Sequence, residues 1–213
     1  MAGKRKENEA GSSNDLRADV LRVLGVLKVA TAAQIQRLSL PHLTYRHTTK
    51  PTAAKQKEAR TASHRAAVER PAAHGLALDG CRTRGGEETR LLTKDGPAAA
   101  AIDLDREIEE MGGMPKSAGR SGASHPMTVN ETVIALIRPK PNLARVVGEP
   151  TEAVAAARAA VAAPDGIGTP ASYATEVALP VKGTWKNAAI GSARADVVLT
   201  APGGRGAAAR KPS

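Results

Sequence analysis

Aromatic side chains are nearly missing from this chain: no Phe, one Trp and two Tyr among 213 residues. A stacking platform for single-stranded nucleic acid needs several exposed rings, so that class of binding is excluded. The single cysteine, Cys81, rules out an internal disulfide and cannot by itself make a zinc site. No apolar run reaches the roughly 18 residues of a membrane span, and the sequence after Lys4, Arg5 and Lys6 is polar where a secretory signal would be apolar. The chain is therefore expected in the cytoplasm. Phosphate-loop and nucleophile-elbow motifs are lacking, and Tyr45 has no three-histidine cluster that would make it a relaxase tyrosine. Large aliphatics are scarce too. Leu, Ile and Val supply 38 residues, 18% of the chain, under the roughly 20% at which disorder competes with packing. Ordered segments joined by mobile ones are the expectation.

What the chain does have is positive charge, unevenly placed. Of a net +10, residues 1–95 carry +8, from 18 Lys/Arg against 10 Asp/Glu. Such an N-terminal half calls for a polyanionic partner, and nucleic acid fits better than a membrane surface. The charge peaks in KPTAAKQKEARTASHRAAVER, Lys50 to Arg70, which reads as one helix. Lys55, Lys57, Arg60, His64 and Arg65 are expected on its outer side, with Ala54, Ala62, Ala66 and Val68 facing a neighbour. A solvated charged face is one reading of this run; a DNA-recognition helix is the other.

Its neighbours favour the second. Residues 1–14 form a polar arm, after which Leu16, Val20, Leu21, Leu24 and Leu27 recur at helical spacing. Thr31 and Gln34 then form a T-x-x-Q capping box, flanked by Ala30 and Ile35 as a hydrophobic staple, and Pro41 closes the helix. The connection from Leu40 to Pro51 is longer than the roughly 3–4 residues usual in a helix-turn-helix, and Tyr45, Arg46 and His47 within it are either exposed loop or backbone contacts. Pro71 ends or kinks the basic helix. Leu76 to Leu78 and Thr89 to Leu92 read as strands of a hairpin with Arg82 and Arg84 near its tip, able to reach phosphates or the minor groove. A helix over Asp95 to Glu110 follows, then the Gly/Ser-rich linker MGGMPKSAGRSGAS, residues 111–124. Beyond it, helices are expected at Met127 to Ile137 and Glu152 to Ala163, and strands at Tyr173 to Val181 and Ala195 to Thr200.

The run LRVLGVLKVATAAQIQRL (from Leu21), the basic helix, ETRLLTKDGPAAA (from Glu88), HPMTVNETVIAL (from His125), SYATEV (from Ser172) and ADVVL (from Ala195) occur in that order. Together they resemble the replication-relaxation family of actinobacterial and plasmid-borne proteins, over residues 16 to about 202. The resemblance implies an α+β chain: an N-terminal winged helix-turn-helix over 15–110, then an α/β lobe of restriction-endonuclease-like type over 125–202. It also implies a role in plasmid or mobile-element replication, with replication or mobilisation proteins as partners. The family pattern continues past ADVVL into a further acidic strand, where this sequence turns to GGRGAAARKPS, residues 203–213. The lobe is therefore expected to be incomplete, through truncation or a frameshift.

The expected function is double-stranded DNA binding in the cytoplasm, at nucleoid or plasmid. Lys50, Lys55, Lys57, Arg60, His64 and Arg65 would come from the helix, and Arg82 and Arg84 from the wing, with phosphate contacts dominating affinity. One alternative is a metal-dependent nuclease or nickase built on Glu131, Glu176 and Asp196, three carboxylates that could converge on Mg²⁺ or Mn²⁺; His125 would be a ligand or base. Without the further acidic strand these acids read as surface or pairing residues, and no cofactor is expected. A second alternative is a transcriptional regulator, a homodimer reading half-sites one helical turn apart.

Overall fold

The computed structural model of the chain describes residues 13–108, 124–167, 173–179 and 193–199. The arm, the linker and the tail expected from sequence lie outside these, apart from Ser13, Asn14 and Ser124. Its elements are α1 (Asn14–Leu27), β1 (Val29–Thr31), α2 (Ala32–Ser39), α3 (Ala53–Ala73), β2 (Ala77–Arg82), β3 (Glu88–Leu92), α4 (Gly96–Leu104), α5 (Ser124–Ile137), α6 (Thr151–Ala162), β4 (Tyr173–Leu179) and β5 (Ala193–Leu199). The fold is α+β, with an antiparallel sheet ordered β1-β3-β2 and a separate β4–β5 pair. Among the described residues no helix is long and apolar enough to cross a membrane.

α1 is the centre of the core. Ser13 caps it, its hydroxyl accepting from the Leu16 N–H at 3.1 Å. From Val20 to Leu27 the helix is buried nearly all round, because α2, α3, α4 and the sheet all pack on it. Fully buried side chains such as Val20 and Leu24 each contribute about 2 kcal/mol of apolar burial. That concentration is how a chain poor in large aliphatics still assembles one core. Val133, Ile134 and Ile137 of α5 join the same cluster, so α5, expected in a separate lobe, packs on the N-terminal elements.

The strand β1 was not legible in the sequence. All three of its residues are buried, leaving no alternation to betray a strand. It pairs with β3, Val29 opposite Leu91 and Thr31 opposite Thr89. The Thr31–Gln34 capping box forms as expected, both reciprocal bonds at 3.2 Å. The long connection after it contains a 3-10 helix, Pro41–Tyr45. His47 adopts a left-handed φ of 62° there, and the Glu149 carboxylate clamps it, accepting from the N–H groups of His47 and Thr48 and from the Thr48 hydroxyl.

α3 begins three residues later than Lys50, where the Thr52 hydroxyl accepts from the Lys55 N–H. It also runs through Pro71 to Ala73. A proline in the last turn removes one helical hydrogen bond, and Gly75, at a φ of 71°, ends the helix by letting the Leu76 N–H reach the Pro71 carbonyl. β2 is longer than expected and irregular between Asp79 and Arg82. Within the irregularity lies Gly80, where a Cβ would lie 2.3 Å from the Thr89 hydroxyl, which donates to the Cys81 carbonyl at 2.6 Å. α4 stops at Leu104, six residues short of the expected end, because Asp105 turns left-handed at a φ of 51°.

Lys28 caps α1 at a φ of 67° and is wholly buried, its ammonium donating to the Gly25 carbonyl. Burial, with a smaller push from Arg106, lowers its pKa to about 8. At neutral pH the ammonium is still charged in a site that disfavours charge. Lys28→Met is therefore expected to stabilise the fold by about 1–2 kcal/mol at pH 7. The folded chain releases this proton at about 8 and the unfolded chain at 10.5, so native lysine gains stability as pH rises between them. Urea denaturation at pH 7 and pH 10 should show the gap between the two proteins closing at the higher pH.

Candidate nucleic-acid interface

The first turns of α3 face α2 on one side and the tip of the β2–β3 hairpin on another. Between them runs a groove of about 540 Å³ whose walls include Gln36, Arg37, Lys57, Arg60, Arg84 and Glu131. The phase of α3 is set by Thr61, His64, Ala67 and Val68, which are buried at i, i+3, i+6 and i+7 against α1 and α2. Of the four side chains expected inward, Val68 is buried and Ala66 half-buried, while Ala54 and Ala62 are exposed.

His64 is the clear correction. Expected to meet DNA, it is fully buried, its Nε2 2.9 Å from the Ser39 hydroxyl. That hydroxyl sits 2.8 Å from the Ile35 carbonyl, its natural acceptor, so Nε2 of His64 carries the proton and donates to Ser39. Burial, and then the neighbouring His42, lower the His64 pKa to about 4. His42 is lowered too, by burial first and then by Arg145 and Arg46, and its Nε2 has no hydrogen-bond partner among the described residues. A neutral imidazole under α3 holds the helix; it does not reach a ligand.

The remaining cations fall into two groups. Lys50, Lys55 and Arg84 are exposed, and among the described residues none of the three side chains makes an ion pair. The others are engaged within the fold. Lys57 Nζ lies 2.7 Å from Glu87 Oε1; Arg60 donates to the Thr44 carbonyl at 3.2 Å. Arg65 donates to the Glu58 carbonyl and the Thr61 hydroxyl. Arg82 pairs with Glu88 at 2.7 Å and donates to the Gly86 carbonyl. Exposed pairs of this kind are worth about 0–1 kcal/mol, so they tune availability without removing it.

Of the three weak catalytic candidates, Glu131 is engaged with α2. Glu131 accepts a bidentate pair from Arg37, at 2.5 and 2.8 Å, and a third bond from Gln34 at 3.0 Å. Arg37's hydrogen bonds outweigh burial and, with Gln34, hold its carboxyl below the usual range. With Asn130, which donates to the Val29 carbonyl at 2.6 Å, Glu131 latches α5 onto α2 and β1. Asp196 of β5 is exposed, 3.4 Å from His125 Nε2. The pairings Thr175–Val197 and Val177–Ala195 put position 176 across from position 196; the side chain of Glu176 lies outside the described residues. Among the described residues no three His, Cys, Asp or Glu side chains converge as metal ligands.

Arg37, Glu87 and Glu149 were not singled out from sequence. Arg37 stands three residues after Gln34 on one face of a capped helix, a signal that was available. The roles of Glu87 and Glu149 depend on tertiary contacts that no local pattern carries. No protein-family model, curated protein or solved structure matches the chain.

Proposed function

We propose that this chain is a double-stranded DNA-binding protein whose residues 15–104 form a winged helix, with α3 directed to the major groove and the β2–β3 hairpin as the wing. The observation that carries the reading is the order helix, strand, helix, helix, strand, strand, with the short first strand paired to the last, combined with cations from α3 and the hairpin around one groove. The exposed side chains of α3 include Lys55, Glu58, Arg65 and Glu69 beside Ala53, Ala54 and Ala62; Arg65 is engaged with Glu58 and Thr61, so few groups are free to hydrogen-bond base edges. Affinity then comes mainly from phosphates, and sequence preference is modest. The setting in plasmid or mobile-element replication, with a second copy or replication and mobilisation proteins as partners, is proposed from the motif resemblance.

The test is duplex affinity across a salt series, with and without Mg²⁺ or Mn²⁺, on DNA whose integrity is checked in the same samples. A log–log slope of several units, at roughly 0.9 per neutralised phosphate, with uncut DNA is the expected result. No salt-dependent binding would end the reading and leave α3 a solvated face. Metal-dependent nicking would favour the second reading, a nuclease, for which His125 beside Asp196, with Glu176 at the opposite register position, is the one geometric support.

A further inference from the structure

The groove described above has a neighbour. A second cavity, of about 490 Å³, lies between α3, the start of α2 and the hairpin, and the two share Ala33, Lys57, Thr61, Gly85 and Glu87 in their walls. Ala33, Thr61 and Gly85 are small, so the large side chains at the junction are the ion pair Lys57–Glu87, which spans from α3 to the hairpin tip. We propose that the two cavities are one channel for a single sugar-phosphate strand of duplex DNA, and that Glu87 holds Lys57 in the place a phosphate takes on binding. This rests on the DNA-binding reading above.

The charges around the junction support this. Arg60 and Arg84 line the first cavity, Arg65 and Arg90 the second, and Lys57 both. Four carboxylates also line the walls, Glu131 in the first cavity, Glu58 and Glu88 in the second and Glu87 in both, and the gate is one that can let its cation go. Glu131 cannot be that gate, because three donors hold it on α2. Glu88 is shared between Arg82 and Arg90, and Glu58 stands 4.0 Å from Arg65. Glu87 makes a single contact with a single ammonium, both partly exposed, and a pair of that kind is weak. A phosphate competes well for the same ammonium, because its binding releases condensed counterions. The exchange needs no backbone movement. The turn that carries Glu87 is closed by Thr83, whose N–H donates to the Glu87 carbonyl at 2.8 Å and whose hydroxyl accepts from the Glu87 N–H at 3.1 Å. Only the Glu87 side chain has to swing aside.

The experiment is fluorescence anisotropy of a labelled duplex of about 20 base pairs against the full chain and its variants, over a salt series. Glu87→Gln is expected to tighten binding about tenfold near 0.1 M salt and to steepen the salt slope by about 0.9, the signature of one recovered phosphate contact. Glu69→Gln removes an exposed carboxylate of α3 that lines neither cavity and stands about 18 Å along the helix from Lys57; it should change affinity less than about twofold, as a charge beyond the screening length of about 10 Å does. In a Lys57→Gln background, Glu87→Gln should lose most of its effect, since the two act through one contact. If the wild type binds with a steep salt slope but Glu87→Gln gains no more than Glu69→Gln, or gains as much without Lys57, the gate is overturned and the DNA reading stands. If the wild type shows no salt-dependent binding, the underlying reading fails instead.

Discussion

Replacing Lys50, Lys55 and Arg84 together with alanine is expected to weaken duplex DNA binding by roughly 10²–10³-fold near 0.1 M salt and to lower the log–log salt slope by about 2.7. These three are chosen because the fold does not use them. Their side chains are exposed and form no ion pair among the described residues, so their loss should leave the thermal transition where it was. Replacing Arg60 would mix two effects, since its guanidinium also holds the Thr44 carbonyl between α2 and α3. Lys57 is equally unsuited, being tied to Glu87. The readouts are anisotropy with one duplex at four salt concentrations and a melting curve for each protein. An unchanged affinity with an unchanged melt would remove α3 and the hairpin from the interface.

Acid is expected to loosen the same helix from beneath. His64 titrates at about 4 in the folded chain against 6.5 in its absence of structure, because burial, and then His42, disfavour the imidazolium. Between those values the unfolded chain binds a proton that the folded chain does not, so stability falls as pH drops through 6.5 towards 4 and is unaffected above 6.5. The loss attributable to His64 is on the order of 3 kcal/mol. His42 moves in the same direction, under burial and the charges of Arg145 and Arg46. His64→Gln keeps a donor for the Ser39 hydroxyl and cannot gain a charge. Urea denaturation at pH 7.5, 6, 5 and 4.5 should show the native chain losing stability faster than this variant over the acid range. Parallel curves would mean that His64 is not the titrating group. Carboxylates titrate alike in both proteins, so the difference isolates the imidazole.

How much of this was legible in the sequence differs from element to element. α1 was, because Leu16, Val20, Leu21, Leu24 and Leu27 keep a helical period strong enough to name the element and these five buried residues, though Val23, Gly25 and Val26 are buried as well. α2 was, down to its cap, because a capping box is a local exchange between residues three apart. The basic helix was found but its rotation was not. Its apolar residues are nearly all alanine, spread over every face, so no stripe marks the inside. Turned inward, His64 meets Ser39, twenty-five residues away, a hydrogen-bonding partner that no local pattern announces. β1 leaves no mark in the sequence because a strand buried on both faces has no alternation to read.

The candidate site divides along the same line. That the chain is basic at one end, that the charge gathers on one helix and one hairpin, and that these follow two shorter helices are properties of residue order, and the sequence alone determines them. Which of those cations stand free, and which are held by a carboxylate, was decided only by tertiary structure. Glu87 reaches Lys57 because the hairpin folds back beside α3, and Glu131 reaches Arg37 because α5 returns to α2 across ninety-four residues. An ion pair between distant segments costs chain entropy that only the collapsed core can meet, and composition carries no record of which partners that collapse will bring within about 3 Å of each other.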